Sequence, residues 1–196
     1  LDDDLLQFQL EYRPLSSDRF QPIASGDQPQ TSSILANWKT QSLPDGAYQI
    51  RVVAIDQLEH SKEHQVDITL DNTPPVVLLK TPTAGQKLSG SLKITAQASD
   101  LHLQQYRLQY TQDLPLTSKS KWESIPTSVE SLSANPTQID QTWNSAAVFG
   151  PTLIRLLVLD QASNQQTAEA VIDLDNLSAK PRVQITDPTT EAVLSG

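Results

Sequence analysis

The sequence contains no cysteine and no methionine. Without cysteine there is no disulfide, no thiolate nucleophile and no cysteine-ligated metal. Stability must then come from burial of a core. Basic residues are scarce: 14 Lys and Arg stand against 23 Asp and Glu, a formal net charge of −9. That balance argues against a nucleic-acid partner, whose phosphates need clustered Lys and Arg. It argues equally against adsorption to anionic lipid. No run of 18 apolar residues exists, so no transmembrane helix is expected. Leu1-Asp2-Asp3-Asp4 has neither a start methionine nor a basic n-region, so the chain reads as an internal piece without a signal peptide.

What is present suits a packed protein: 37% of the 196 residues are hydrophobic and 19% charged, which disfavours wholesale disorder. The charge is uneven. Residues 1–74 carry 5 basic and 12 acidic side chains, whereas 75–180 carry 8 and 9. Solubility explains the acidic excess more simply than a dedicated cation site.

The main signal is an internal repeat. Asp71-Asn72-Thr73-Pro74-Pro75 precedes Val77 to Pro82 and then Leu88-Ser89-Gly90; Asp175-Asn176 precedes Val183 to Pro188 and then Leu194-Ser195-Gly196. Asp71 and Asp175, Asp56 and Asp160, Arg51 and Arg155, and Gly46 and Gly150 are all 104 residues apart. Phe8 to Tyr12 matches Tyr106 to Tyr110 at 98, and Phe20 and Ile23 match Trp122 and Ile125 at 102. Such small changes of offset are what insertions in loops produce.

Inside the repeat the pattern is that of strands. Leu92, Ile94, Ala96 and Ala98 alternate with Lys93, Thr95 and Gln97, and Tyr106, Leu108 and Tyr110 with Arg107 and Gln109. Tyr48, Ile50, Val52 and Ala54 share one face; Val66, Ile68 and Leu70 are echoed by Ala170, Ile172 and Leu174. Val77 and Leu79 match Val183 and Ile185, while Val76 and Leu78 match Arg182 and Gln184, so the latter pair should face solvent. Leu43-Pro44-Asp45-Gly46, Thr83-Ala84-Gly85 and Asp160 to Asn164 read as turns. Pro74-Pro75 reads as a stiff junction. The expected core set of the second repeat is Tyr106, Leu108, Tyr110, Ile154, Leu156, Val158, Ile172 and Leu174.

The expected fold class is all-β, a tandem of immunoglobulin-like antiparallel β-sandwiches. Residues 1–73 form a partial repeat lacking its first two strands, 74–177 a complete repeat, and 178–196 the first strand of a third. Simple truncation is the preferred account of the partial ends; strand donation between copies is the alternative.

The stretch Leu43-Pro44-Asp45-Gly46-Ala47-Tyr48-Gln49-Ile50-Arg51-Val52-Val53-Ala54-Ile55-Asp56, followed by Leu70 to Pro75, Leu88-Ser89-Gly90 and Ala98-Ser99-Asp100, resembles bacterial Ig-like and fibronectin-III-like tandem repeats of large extracellular surface proteins. Tyr106 to Tyr110 with Lys121 to Ile125 is similar to them too. The resemblance implies an extracellular or cell-surface location and a spacer, stalk or fibre role. Neighbouring repeats of the same chain are the implied partners, with self-association into a fibre or surface layer left open. It brings no catalytic residue and no cofactor. An adhesive module binding glycan or protein through its loops, or an accessory domain of a secreted hydrolase, are the other readings. Leu58-Glu59-His60 and Val148-Phe149-Gly150-Pro151 depart from the usual turn motifs of such repeats.

Three sets of residues invite chemistry. His60-Ser61-Lys62-Glu63-His64 spells H-x-x-E-H, a zinc-protease motif that works on a helix. On a strand its two imidazoles stand ~13 Å apart, so a solvated hairpin is expected instead. Asp56, Asp71, Asp100, Asp160 and Asp175 end strands and offer carboxylates to Ca²⁺; turn capping by their own side chains is the stronger reading, and no metal is expected. Trp38, Trp122 and Trp143 could stack sugars, but their near-periodic placement favours packing. Asn176-Leu177-Ser178 is a sequon read as chance.

Overall fold

A computed structural model describes residues 5–27, 34–126 and 136–177. All twelve of its regular elements are strands. The chain divides into two units: the first runs to Pro74 and takes in Ala162–Asn164, and the second is the remainder from Pro75.

Unit 1 holds β1 (Leu5–Pro14), β2 (Gln21–Gly26), β3 (Gly46–Asp56) and β4 (Ser61–Leu70). They form one antiparallel sheet in the order β2-β1-β3-β4. Period-two alternation puts Phe8, Leu10 and Tyr12 opposite Ala54, Val52 and Ile50 on one face. Tyr12, Tyr48 and Leu70 are buried there, with Ile23, Trp38, Leu43 and Ile68 packed against them.

Unit 2 holds β5 (Val76–Thr81), β6 (Lys87–Leu88), β7 (Ser91–Ser99), β8 (Leu103–Thr111), β9 (Glu123–Ser124), β10 (Thr137–Asn144), β11 (Gly150–Asp160) and β12 (Gln165–Leu174). Two sheets result, β10-β7-β5 and β6-β12-β11-β8-β9. Every pairing is antiparallel except that of β6 with β12. The inward residues Leu92, Ile94, Ala96 and Ala98 of one sheet meet Tyr106, Leu108, Ile154, Leu156, Val158, Ile172 and Leu174 of the other in one continuous core. This is the two-sheet sandwich expected from the alternation. Of the expected core set, Tyr110 alone is half-buried, because its hydroxyl reaches out to Glu123. Val76 and Leu78 face solvent, 69% and 54% exposed, as the exchange for Arg182 and Gln184 required.

The two units share their register. Leu10 opposes Val52 as Leu108 opposes Leu156; Ile50 opposes Val66 as Ile154 opposes Ala170; Tyr12 opposes Gln21 as Tyr110 opposes Glu123. One expectation shifts. The hydrogen-bonded turn before β3 closes at Thr40–Leu43 rather than within Leu43 to Gly46, through the Leu43 N–H to the Thr40 carbonyl. Its counterpart runs from Val148 N–H to the Ser145 carbonyl. Gly46 and Gly150, each with positive φ, follow these turns and start the next strand. Residues 178–196, expected to begin a third repeat, lie outside the described residues.

Candidate functional site

Three features recur in both units, each built from residues at the repeat spacing. Tyr12 stacks on Trp38 and Tyr110 on Trp143, with centroids 4.7 Å apart in each pair. The Tyr12 hydroxyl donates to Gln21 at 2.9 Å, and the Tyr110 hydroxyl to Glu123 at 2.5 Å. This last bond, with partial burial and the nearby carboxylate charge, pushes the Tyr110 pKa up to about 12.

On the outer face of each sheet an arginine lies over an aromatic ring: Arg51 over Phe20 at 3.7 Å, and Arg155 over Trp122 at 3.6 Å. Arg51 also pairs with Glu11 at 2.7 Å, where Arg155 donates to the neutral Gln109 at 2.8 Å. The three tryptophans therefore form no single platform. Trp38 and Trp143 pack inside their own units, and Trp122 serves as a base for Arg155.

The third feature is an asparagine clamp just after the last strand of each unit. Asn72 Nδ2 donates to the carbonyls of Thr40 and Leu43, at 2.9 and 3.1 Å. Asn176 Nδ2 donates to those of Ser145 and Val148, at 2.8 and 2.7 Å. In unit 2 the Asn176 Oδ1 also accepts the Gly90 N–H at 2.6 Å. Ser145 joins the same knot through its N–H and hydroxyl, both given to the Gly90 carbonyl. The sequence shows these asparagines only as part of a matched junction. Their identity at one period was the available signal for a structural role.

Asp56, Asp71 and Asp100 cap turns. Asp56 Oδ1 accepts the N–H groups of Leu58 and His60, at 2.8 and 2.9 Å, and its Oδ2 lies 2.9 Å from His60 Nδ1. Desolvation raises the Asp56 pKa, but the His60 N–H, its ring and the Leu58 N–H together hold it below the ordinary carboxylate value. The turn presents Leu58, 76% exposed, with Glu59 in the left-handed region at φ 65°. His60 thus faces Asp56, while His64 lies exposed on β4.

Asp71 Oδ1 accepts the Thr73 N–H, and Asp100 Oδ1 the His102 N–H. Asp160 is fully buried at the end of β11, and Asp175 pairs with Lys87 at 2.9 Å. Within unit 1, Asp56 and Asp71 sit at opposite ends of β3 and β4; within unit 2, Asp160 and Asp175 do the same on β11 and β12. A strand of that length spans roughly 30 Å, so neither pair can share one ion.

Among the described residues, one surface of unit 1 is only partly covered. Its apolar face is covered at the Tyr12–Tyr48 end by Trp38 and Leu43. Toward the middle, Leu10, Ile50 and Val52 are half-buried and Val66 is 49% exposed. Among the described residues no second sheet lies on it, and β4 is an edge strand.

Neither the family models nor the curated proteins include a match to this sequence. Among solved structures, the chain is similar to fibronectin(III)-like modules of CbhA from Clostridium thermocellum, at 16% identity and a TM-score of 0.47, over 94% of this chain and 87% of that one. It is also similar to a tetra-tandem repeat in the extending region of a large adhesion protein, at 15% identity and a TM-score of 0.39, over 90% of this chain and 43% of that one. The all-β sandwich fold follows from the strand order and register above, independently of these likenesses.

Proposed function

We propose that the chain is a non-catalytic structural repeat, serving as spacer, stalk or fibre element of a larger secreted or cell-surface bacterial protein. One observation supports this above the rest. What recurs between the units is scaffold: strand register, the Tyr–Trp stack, the Arg-on-ring contact and the Asn clamp. What varies is the loop tips, where a shared recognition or catalytic site would sit. Leu58-Glu59-His60 at one hairpin stands against Ala162-Ser163-Asn164 at the other. No cofactor enters this reading, and its partners are neighbouring repeats.

Single-molecule stretching of the chain tests it. A load-bearing repeat gives one distinct unfolding event for unit 2, releasing roughly 30 nm of chain at ~3.5 Å per residue. Extension without a barrier overturns the spacer reading. Micromolar binding on a glycan or protein array, lost on changing Leu58 and Glu59, turns the assignment to a recognition module.

A further inference from the structure

We infer that copies of this chain associate side by side through outer sheet faces, unit 1 of one copy against unit 2 of a second copy. The contact sets Arg51, Val53 and Ile55 of β3 against Arg155, Leu157 and Leu159 of β11. This rests on the structural-repeat reading and names the surface through which copies meet.

The signal is a break in alternation. In an antiparallel sheet with one face in water, the outward positions are polar. Strand β7 keeps this rule, with Lys93, Thr95 and Gln97 outward from the buried Leu92, Ile94, Ala96 and Ala98. Strand β8 keeps it with Gln105, Arg107 and Gln109. Strands β3 and β11 do not. Val53 and Ile55 share the outer face with Arg51, and Leu157 and Leu159 share it with Arg155. All four aliphatic residues are half-buried, and among the described residues no second sheet lies over them. A central place in the sheet does not account for the break, because β7 is equally central between β10 and β5.

The break also recurs. Val53 matches Leu157 and Ile55 matches Leu159, both at 104 residues. An apolar stripe kept at the repeat spacing suits a partner with the same spacing, which is another copy of this chain.

Charge selects which face meets which. Beside the unit 1 stripe stand two carboxylates, Glu11 opposite Arg51 and Glu63 opposite Val53, against the one guanidinium of Arg51. Beside the unit 2 stripe stands one carboxylate, Glu169 opposite Arg155, while Arg107 opposite Leu157 adds a second guanidinium. The other cross-strand neighbours of both stripes are Gln, Ser or Thr. Unit 1 therefore presents an acidic excess and unit 2 a basic one. Like faces repel, and unlike faces neutralise each other. Laid face to face with β3 and β11 parallel, β4 of one copy runs over β8 of the other, and Glu63 meets Arg107. Arg51 and Arg155 then approach with Glu11 and Glu169 beside them, so two cations are matched by two anions. The two faces differ, so the association does not close. An interface of about 1,000 Å² or less is weak, with a dissociation constant on the order of 0.1 mM.

Sedimentation velocity of the full chain, from about 10 μM to about 1 mM, decides it. The weight-average mass should rise reversibly with concentration. Arg107→Glu and Glu63→Arg, both at exposed positions, should each weaken the association about tenfold, and the double variant should restore it. Methyl resonances of Val53, Ile55, Leu157 and Leu159 should shift with concentration, while those of Leu10 and Val66, on the opposite face of unit 1, stay in place. Four results would overturn the inference: no rise in mass, a rise that neither single variant weakens, a double variant no stronger than the singles, or shifts centred on Leu10 and Val66. Stretching separates this contact from the reading beneath it. If association fails while unit 2 still unfolds in one distinct event, the face is wrong and the structural-repeat reading survives.

Discussion

Leu156 and Ala170 of unit 2 are 0% and 5% exposed, whereas their register counterparts in unit 1, Val52 and Val66, are half-buried and 49% exposed. The strands carrying them pair identically. Cross-strand pairing therefore sets register without a second layer, but it cannot bury a face. The same lesson appears at Trp38 and Trp143. Both stack on a tyrosine at the same distance, yet Trp143 lies in strand β10 and Trp38 in an irregular segment. β10 is a strand because β7 pairs with it along its whole length, Trp143 opposite Leu92. Without such a partner, a segment of similar composition packs its aromatic and remains loop.

The comparison is broken most directly by core truncation. Leu156→Ala should cost about 2–5 kcal/mol, the range for a fully buried leucine. Val52→Ala should cost less than about 1 kcal/mol, since its site is already part-hydrated. Urea unfolding followed unit by unit with NMR measures both. Equal costs would mean that the face of unit 1 is covered in solution.

Next comes the clamp. Asn176→Ala removes two donated bonds and one accepted bond, and should destabilise unit 2 by about 2–3 kcal/mol. Asn72→Ala removes the two donated bonds and should cost about 1–2 kcal/mol. Hydrogen exchange at Gly90 sharpens the test: its amide should lose protection in Asn176→Ala and keep it in Asn72→Ala.

A smaller effect separates the two arginines. Arg51→Gln and Arg155→Gln should each cost about 0.5–1 kcal/mol through the lost ring contact. The Arg51 effect should shrink more as salt is added, because Arg51 is ion-paired with Glu11 and Glu63, whereas Arg155 bonds to the neutral Gln109 and has a carboxylate, Glu169, only as its cross-strand neighbour. Matching salt dependence in both would remove the distinction.

The last effect is confined to high pH. The hydrogen bond to Glu123 raises the Tyr110 pKa from 10.0 to about 12. A raised pKa means that the neutral phenol is favoured in the folded state. Its stabilising contribution is whole below pH 10 and is lost as pH climbs toward 12. Spectrophotometric titration should show Tyr110 ionising late, and Glu123→Gln should bring it back toward the ordinary value.

Much of this was legible along the chain. Alternation named Leu92, Ile94, Ala96 and Ala98 as one face, and all four are buried. Comparison of repeats placed Val76 and Leu78 outward, because a buried position could not also accept Arg182 and Gln184. The clamp was harder to see. Asn72 and Asn176 bond to carbonyls 28 to 32 residues away, and nothing local to an asparagine points to such partners. The Asp56 turn was legible as a cap, but not its grip on His60, which depends on Glu59 adopting the left-handed region.

By itself, then, the sequence determined the repeat, the strand faces and the absence of any disulfide, since period, alternation and residue identity are one-dimensional properties. Only the tertiary structure decided which equivalent residues become core. Burial belongs to two layers meeting, and β7 with its neighbours supplies the second layer for Leu156, while among the described residues no sheet does so for Val52.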